Sequence, residues 1–209
     1  MQINLSKTTK VSLAKEDGSV IKNLFVGINW GKNTYSGEDN FDADLIGFVT
    51  NVDRQITVPD DILYAQLCTK HPSGVVIHSG DNLDGSDSVG ISFNDKHFDE
   101  AVYVHTDKMP SNRDVITLGV TIYNAHKRFQ NFGMLRNLRV DIIDMDNPDN
   151  SFFYDLSNED KFEDLTAMVL IELRKTSSGF KLVKVGKGYV GGTKELYGSF
   201  GVSIEGDDY

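Results

Sequence analysis

The chain has 209 residues, of which 21 are lysine or arginine and 31 are aspartate or glutamate, so its formal net charge is −10. This acidic balance argues against a general nucleic-acid binder, because contacts to phosphate groups need a basic face. The length and the 39% hydrophobic share suit one globular domain with a full core.

Eleven short runs rich in valine, isoleucine, phenylalanine and tyrosine follow one another between turn signals. In chain order they are KVSLA, NLFVGINW, DADLIGFVT, ILYAQLC, GVVIHS, AVYVHT, VITLGVTIY, LRVDIID, SFFYDL, LTAMVLIELRK and FKLVKVG. Such runs with little helical periodicity are typical of all-β domains. We therefore expect a two-sheet β-sandwich with one or two short helices.

Helix signals occur in two places. Ser157 with Asp160 predicts a capped turn, and Thr193 to Tyr197, after a pair of glycines, predicts a short terminal helix. Low-complexity linkers and convincing repeats are absent from the sequence. We expect residues 1–204 to form one domain and the acidic tail, residues 205–209, to be frayed.

The sequence also indicates a compartment. Its single cysteine, Cys68, can form neither an internal disulfide nor a cysteine zinc site. The start, MQINLSKTTKVSL, lacks the apolar core of a signal peptide, and no apolar stretch is long enough for a transmembrane segment. These features predict a cytoplasmic protein.

Acidic residues are concentrated in three places beside predicted strands. Asp42 and Asp44 lie two residues apart at a strand start, so their side chains project to the same face. The other two places, HSGDNLDGSDS and NDKHFDE, contribute Asp81, Asn82, Asp84, Asp87, Asp95, Asp99 and Glu100. Calcium takes about six to eight oxygen ligands of this kind. Acidic loops at one end of a sandwich would supply them.

Other interpretations of these loops are open. Aspartate, asparagine, glycine and serine are also ordinary turn residues, so each place could be a solvated turn. The helical calcium-hand pattern fails, because Gly80 would occupy its first ligand position. GDNLD matches part of a metallophosphoesterase signature, but the Asp-x-His and Gly-Asn-His motifs of those enzymes are missing. We therefore do not expect an enzyme.

The order of short motifs carries a family resemblance. The motifs are INLSKTTKVSL, VGINW, FDAD, HSGDN, FDE, FGMLRNLRV, FFYDLS, TAMVLIELRK and VGKGYVGG. From about residue 3 to residue 202 the chain resembles the TerD-type tellurium-resistance and stress-response family. The resemblance implies a cytoplasmic β-sandwich that binds calcium in acidic loops at one end, and it brings no catalytic residue.

The resemblance also implies a ligand set. The family's Asp-x-Asp pair falls on Asp42 and Asp44, its Gly-Asp-Asn turn ends on Asp81 and Asn82, and its next acidic cluster falls on Asp99 and Glu100. The chain departs from the pattern at Phe98, where an acid is usual, at Gly31 and Lys32, and in a longer loop before Phe98 that offers Asp84, Asp87 and Asp95. We expect one bound calcium ion, with a second left open.

The expected function follows from this ligand set. Calcium would order the acidic loops and present a surface to a partner, for which other stress-response proteins are candidates. The alternative is a structural or interaction protein of the same fold that has lost tight calcium binding.

One basic stretch, HKRFQNFGMLRNLR, contains Lys127, Arg128, Arg136 and Arg139. It predicts either a solvated hairpin between two strands or a docking patch for an anionic partner. His78 and His97 would form a zinc or nickel site only if the fold brought them together.

Overall fold

Strands are the predominant regular structure of the protein in the computed structural model. The structure describes residues 2–5, 10–13, 19–33, 39–85, 89–135, 137–156, 162 and 164–205. The strands are β1 (Gln2–Asn4), β2 (Lys10–Ser12), β3 (Asn23–Asn29), β4 (Ala43–Thr50), β5 (Ile62–Leu63), β6 (Val76–His78), β7 (Ile91–Phe93), β8 (Lys96–Phe98), β9 (Glu100–His105), β10 (Val115–Ile122), β11 (Arg139–Asp144), β12 (Ser151–Asp155), β13 (Ala167–Thr176) and β14 (Gly179–Tyr189). The helices are α1 (Gly192–Gly198) and two single 3₁₀ turns, Pro59–Asp61 and Thr106–Lys108.

Two six-stranded sheets form the sandwich. The first has the strand order β1-β12-β11-β3-β9-β6 and the second has the order β2-β14-β13-β10-β4-β5. Strands β7 and β8 pair separately as a small antiparallel hairpin. The predicted all-β, two-sheet fold is confirmed.

The core lies between the two sheets. Alternate residues of β3 in the first sheet, Leu24, Val26 and Ile28, are fully buried in the same cluster as Leu118 and Val120 of β10 in the second. This follows from the two-residue period of a strand, which sends alternate side chains to one face. The intervening residues cover the outer faces.

The β7–β8 hairpin covers the outer face of the first sheet. The ring of Phe25 stacks on Phe93 at a centroid distance of 4.5 Å and lies 4.9 Å from Phe98. Gly27 leaves room for this packing, because a Cβ atom there would lie 2.4 Å from the Phe98 ring. The sequence did not predict β7 or β8 as strands, since both are short and partly polar.

The C-terminal region covers the outer face of the second sheet. Phe48 of β4 stacks on Phe200 at 4.3 Å and meets Tyr197 of α1 edge to face at 5.4 Å. The predicted terminal helix is therefore confirmed, whereas the turn expected at Ser157 lies outside the described residues. Among the described helices, none has the length and apolar character needed to cross a membrane.

Two expectations about connecting segments are wrong. The basic stretch does not form a hairpin, because β10 and β11, which flank it, belong to different sheets; it crosses between them and buries Phe132, Leu135 and Leu138. The run ILYAQLC is a strand only at Ile62–Leu63 and then turns back, closed by the hydrogen bond from the Tyr64 amide to the Cys68 carbonyl at 3.1 Å.

Candidate metal centre

The two sheets are joined by side chains at the open edge of β4. The amide of Leu45 donates to Oε2 of Glu100 at 2.7 Å, and its carbonyl accepts from Nε2 of His78 at 2.9 Å. The amide of Gly80 donates to Nδ1 of His78 at 3.2 Å, so the ring proton lies on Nε2. Burial lowers the pKa of His78, which keeps the ring neutral. These contacts bring the loop after β6 against β4.

Three carboxylates meet at this junction. Asp42 precedes β4, Asp44 lies in β4, and Asp81 lies in the loop after β6; one carboxylate oxygen of each lies within 4.8 Å of the others. Asp42 is only 5% exposed and Asp44 only 3%. The pairing of Asp42 with Asp44 is the arrangement that their two-residue spacing predicts.

The protein leaves most of these oxygens without hydrogen bonds. In the described part of the chain, no donor reaches the carboxylate of Asp42 or Asp44, and the buried Oδ1 atoms of Asp42 and Asp81 have no partner. Of these carboxylate oxygens, only Oδ2 of Asp81 accepts a hydrogen bond from a described residue, namely from Nε2 of Gln66 at 3.0 Å. Buried oxygens without donors are costly, so the cluster is arranged for a cation or for protons.

The pKa values reflect this cost. Burial, reinforced by the charges of Asp42 and Asp81, raises the pKa of Asp44 from 3.8 to about 8. Burial and the charge of Asp81 raise the pKa of Asp42 from 3.8 to about 6. The charge of Arg128 lowers both values without offsetting the rise. In the absence of a cation, Asp44 therefore keeps a proton near neutral pH.

Another buried acid shows how this protein treats a structural carboxylate. Asp61, 1% exposed, accepts hydrogen bonds from Nε and Nη2 of Arg113 at 3.0 and 2.8 Å. Burial alone would raise the pKa of Asp61, but the hydrogen bonds and charge of Arg113 lower it below its ordinary value. Among the described residues, Asp42 and Asp44 have no such hydrogen-bonded arginine, which separates the cluster from ordinary buried ion pairs.

Asn82 and Asp99 hold the loop around the cluster. Oδ1 of Asn82 accepts from the amides of Gly85 at 3.1 Å and Asp84 at 3.3 Å, and its Nδ2 donates to Oδ1 of Asp99 at 3.3 Å. Oδ2 of Asp99 accepts from the Trp30 amide at 2.8 Å. Both residues, expected as ligands from the sequence, thus make hydrogen bonds with other groups of the protein.

The other expected ligands occupy different positions. Oε1 of Glu100 accepts from the Asn82 amide at 3.2 Å, and burial, followed by the charge of Asp44, raises its pKa well above its ordinary value. Asp84 is half-buried beside Asn82, and its charge contributes to the raised pKa of Asp42. Asp95 is exposed in the β7–β8 turn with a φ of 58°. Asp87 lies outside the described residues.

Gly85 fixes how the loop packs. Its φ is +64°, and a Cβ atom there would lie 2.6 Å from Nε1 of Trp30. That nitrogen donates to the Phe41 carbonyl at 3.0 Å, next to Asp42. Trp30 is itself buried, at 4% exposure.

We expect Gly85→Ala to destabilise the protein by about 1–3 kcal/mol, because both the backbone angle and the ring contact oppose a side chain. The control is Gly198→Ala, where nothing lies within 4 Å of the added carbon. Urea unfolding of both variants measures the difference, and equal midpoints would contradict this account of the loop.

The described residues of the basic stretch do not form one free patch. Arg139 makes a two-pronged ion pair with Asp141, at 2.7 and 3.0 Å, and its guanidinium lies over Phe153 at 4.3 Å. Arg128 lies over the Tyr123 ring at 5.2 Å, close enough to affect the acidic cluster. Lys127 is exposed beside it, and Arg136 lies outside the described residues.

Two residues near the cluster were not predicted. Gln66 binds Asp81, and burial together with the charges of Asp44 and Asp81 raises the pKa of Tyr64. Both belong to the run that the sequence assigned to a strand. No spacing or motif in ILYAQLC signals that the chain turns there toward a loop 15 residues further on.

Comparisons with known proteins agree with this architecture. The TerD domain model matches residues 1–200. General stress protein 16U of Bacillus subtilis (strain 168) is 33% identical over 98% of this chain and 100% of its own length, and tellurium resistance protein TerD of Serratia marcescens is 31% identical over 97% and 99%. The crystal structure of a homologue of telluride resistance protein (TerD) from Streptomyces coelicolor A3(2) is similar with a TM-score of 0.65 at 16% identity, covering 88% of this chain and 99% of that one. The chain therefore belongs to the TerD domain family.

Proposed function

We propose that this protein is a non-enzymatic, calcium-binding module of a cytoplasmic stress or tellurium-resistance response. The observation that carries the proposal is the meeting of Asp42, Asp44 and Asp81 around a common point with so few hydrogen bonds from the protein. The names of the relatives support the stress-response setting. The chemistry of the cluster favours calcium as the bound ion.

Mutual repulsion of the carboxylates favours a cation. Ionising all three acids costs free energy, because their ligand oxygens lie within 4.8 Å of one another and like charges repel. The cost is increased by the burial of Asp42 and Asp44. A divalent ion removes the repulsion and supplies the missing partner for the buried oxygens. Bound protons offset only part of this cost, because a protonated acid still needs acceptors for its hydroxyl group.

The donor set favours calcium over other metals. It consists of carboxylate oxygens, which suit hard cations, whereas zinc prefers imidazole or thiolate ligands. The two nearby imidazole nitrogens of His78 are used by Leu45 and Gly80. Calcium tolerates irregular geometry, as expected of ligands from the start of a strand and a separate loop, while magnesium demands a near-ideal octahedron.

Ion binding would act on the surrounding loops. Asn82 connects the loop of Asp81 to Asp99, and Glu100 connects the same loop to β4. A change at the cluster is therefore transmitted to several connected loops at one end of the sandwich. We infer that calcium orders this end and thereby presents a surface to a protein partner.

Thermal unfolding tests the proposal. After exhaustive chelation, millimolar calcium should raise the midpoint more than millimolar magnesium does, since a ligand at about a hundredfold excess over its Kd adds about 2.7 kcal/mol. Asp42→Asn and Asp81→Asn should each abolish most of the rise. The matched control is Asp53→Asn, an exposed acid beyond the other end of β4.

A midpoint indifferent to calcium would overturn the proposal. It would favour the alternative, in which the same fold serves as a structural or interaction protein without tight ion binding and the acids stay protonated.

A further inference from the structure

A cavity of about 310 Å³ lies next to the metal centre, on the outer face of the second sheet. Its walls come from the start of β4, the end of β10, the turn after β5, helix α1 and the segment near Ile204. This volume is within the range of sites that hold small organic molecules.

The polar part of the lining combines one acid with neutral groups, which include Gln66 and Thr193. Asp44 is the only charged residue among the described residues of the lining, and Thr121 lies beside it on the neighbouring strand β10. Three tyrosines, Tyr64, Tyr123 and Tyr197, supply aromatic rings. Carboxylates and the faces of aromatic rings both attract cations.

The remaining lining is apolar. Ile46 lies in the wall formed by β4, Ile204 is half-buried, and Leu67 is 70% exposed at the edge of the cavity. A ligand that fits this lining has an apolar body as well as a charged group. An anion is disfavoured, because no basic side chain of the described residues lines the cavity to balance its charge.

We propose that the cavity binds a small organic cation, an amine with an apolar body, whose ammonium group lies against the Asp44 carboxylate. That carboxylate receives no hydrogen bond from the described residues, so an N–H donor would satisfy it. The inference goes beyond the proposed calcium function and rests on it in one respect only: Asp44 serves both sites. Calcium and the amine therefore compete.

Calorimetry with a matched set of probes tests this inference. We would titrate 2-phenylethylammonium into the chelated full-length protein at pH 9, where Asp44 is mostly ionised. Neutral 2-phenylethanol and anionic phenylacetate serve as controls of similar shape. The ammonium should bind at least roughly tenfold more tightly than either control, as expected for a charge-specific site. Saturating calcium should weaken its binding. Equal affinity for the ammonium and the alcohol would overturn the proposal.

Substitutions separate the cavity from the metal centre. Tyr64→Leu should weaken amine binding and leave the calcium response intact, whereas Asp81→Asn should do the reverse, because Asp81 does not line the cavity. Asp44→Asn should weaken both. Leu67→Arg should also weaken amine binding, because the added positive charge repels the ammonium group. Leu67 is exposed, so we expect this variant to fold.

These outcomes distinguish the two proposals. If calcium binds but the ammonium does not, the cavity inference is wrong and the calcium function stands. If the ammonium binds but calcium has no effect on stability, the calcium function is wrong and the cavity inference stands.

Discussion

Replacing Asp44 by asparagine is expected to stabilise the calcium-free protein and to remove most of its stabilisation by calcium. Burial raises the pKa of Asp44 to about 8, so folding near neutral pH requires this acid to take up a proton that the unfolded chain does not hold. Asparagine takes up no proton, so this cost of about 1.4 kcal/mol per pKa unit disappears. Part of the benefit is lost because the asparagine amide is buried. We therefore expect the free energy of unfolding to increase by roughly 2 kcal/mol. Urea unfolding at pH 8, with and without calcium, measures both effects.

The paired control for this variant is again Asp53→Asn, which should change neither the calcium-free stability nor the calcium response. A loss of calcium-free stability in Asp44→Asn, comparable to that of an ordinary buried mutation, would contradict the picture of Asp44 as a strained acid. It would indicate a structural carboxylate like Asp61.

Calcium affinity is expected to rise with pH across the neutral range. Calcium must displace the proton on Asp44, whose pKa is about 8, and below about pH 6 a second proton on Asp42. Between about pH 6.5 and 8 the apparent association constant should therefore increase roughly tenfold, with proton release on binding. Calorimetric titrations in buffers of different ionisation enthalpy measure the affinity and the protons released.

The free energy of unfolding of the calcium-free protein should fall as pH rises, whereas the calcium affinity increases. Both folded-state pKa values lie above the ordinary value of 3.8, so the folded chain binds more protons than the unfolded chain between about pH 4 and 8. The contribution of these two acids to the free energy of unfolding therefore falls as pH rises through that window. Asp42→Asn and Asp44→Asn should each flatten the decline, and a decline unchanged in both variants would contradict the assignment.

The fold was largely predictable because a short apolar run between turn signals is a local signal. β3 and β4 are nearly continuous apolar runs, as expected of strands that are buried on both faces. Leu45 of β4 enters the core between the sheets, whereas Phe48 of the same strand packs on the outer face. Local patterns failed where tertiary contacts decide the conformation. ILYAQLC is apolar enough for a strand but turns so that Gln66 meets Asp81, and the basic stretch spans two sheets because Phe132 and Leu135 enter the core.

The candidate site was predictable in part for the same reason. The spacing of Asp42 and Asp44 places both on one side of a strand start, whereas their approach to Asp81 depends on how β6 docks against β4 through His78. The roles of Asn82 and Asp99 could not be deduced from composition. An acid or amide in a loop serves equally well as a ligand or as a loop clamp, and only the hydrogen bonds of Asn82 and Asp99 show which contacts each makes.

A crystal structure of the protein grown with calcium tests the central claim most directly. We predict an ion within about 2.3–2.6 Å of carboxylate oxygens from Asp42, Asp44 and Asp81, with the hydrogen bond between Asn82 and Asp99 retained. Well-ordered carboxylates with no ion between them, at a calcium concentration in the millimolar range, would contradict the account.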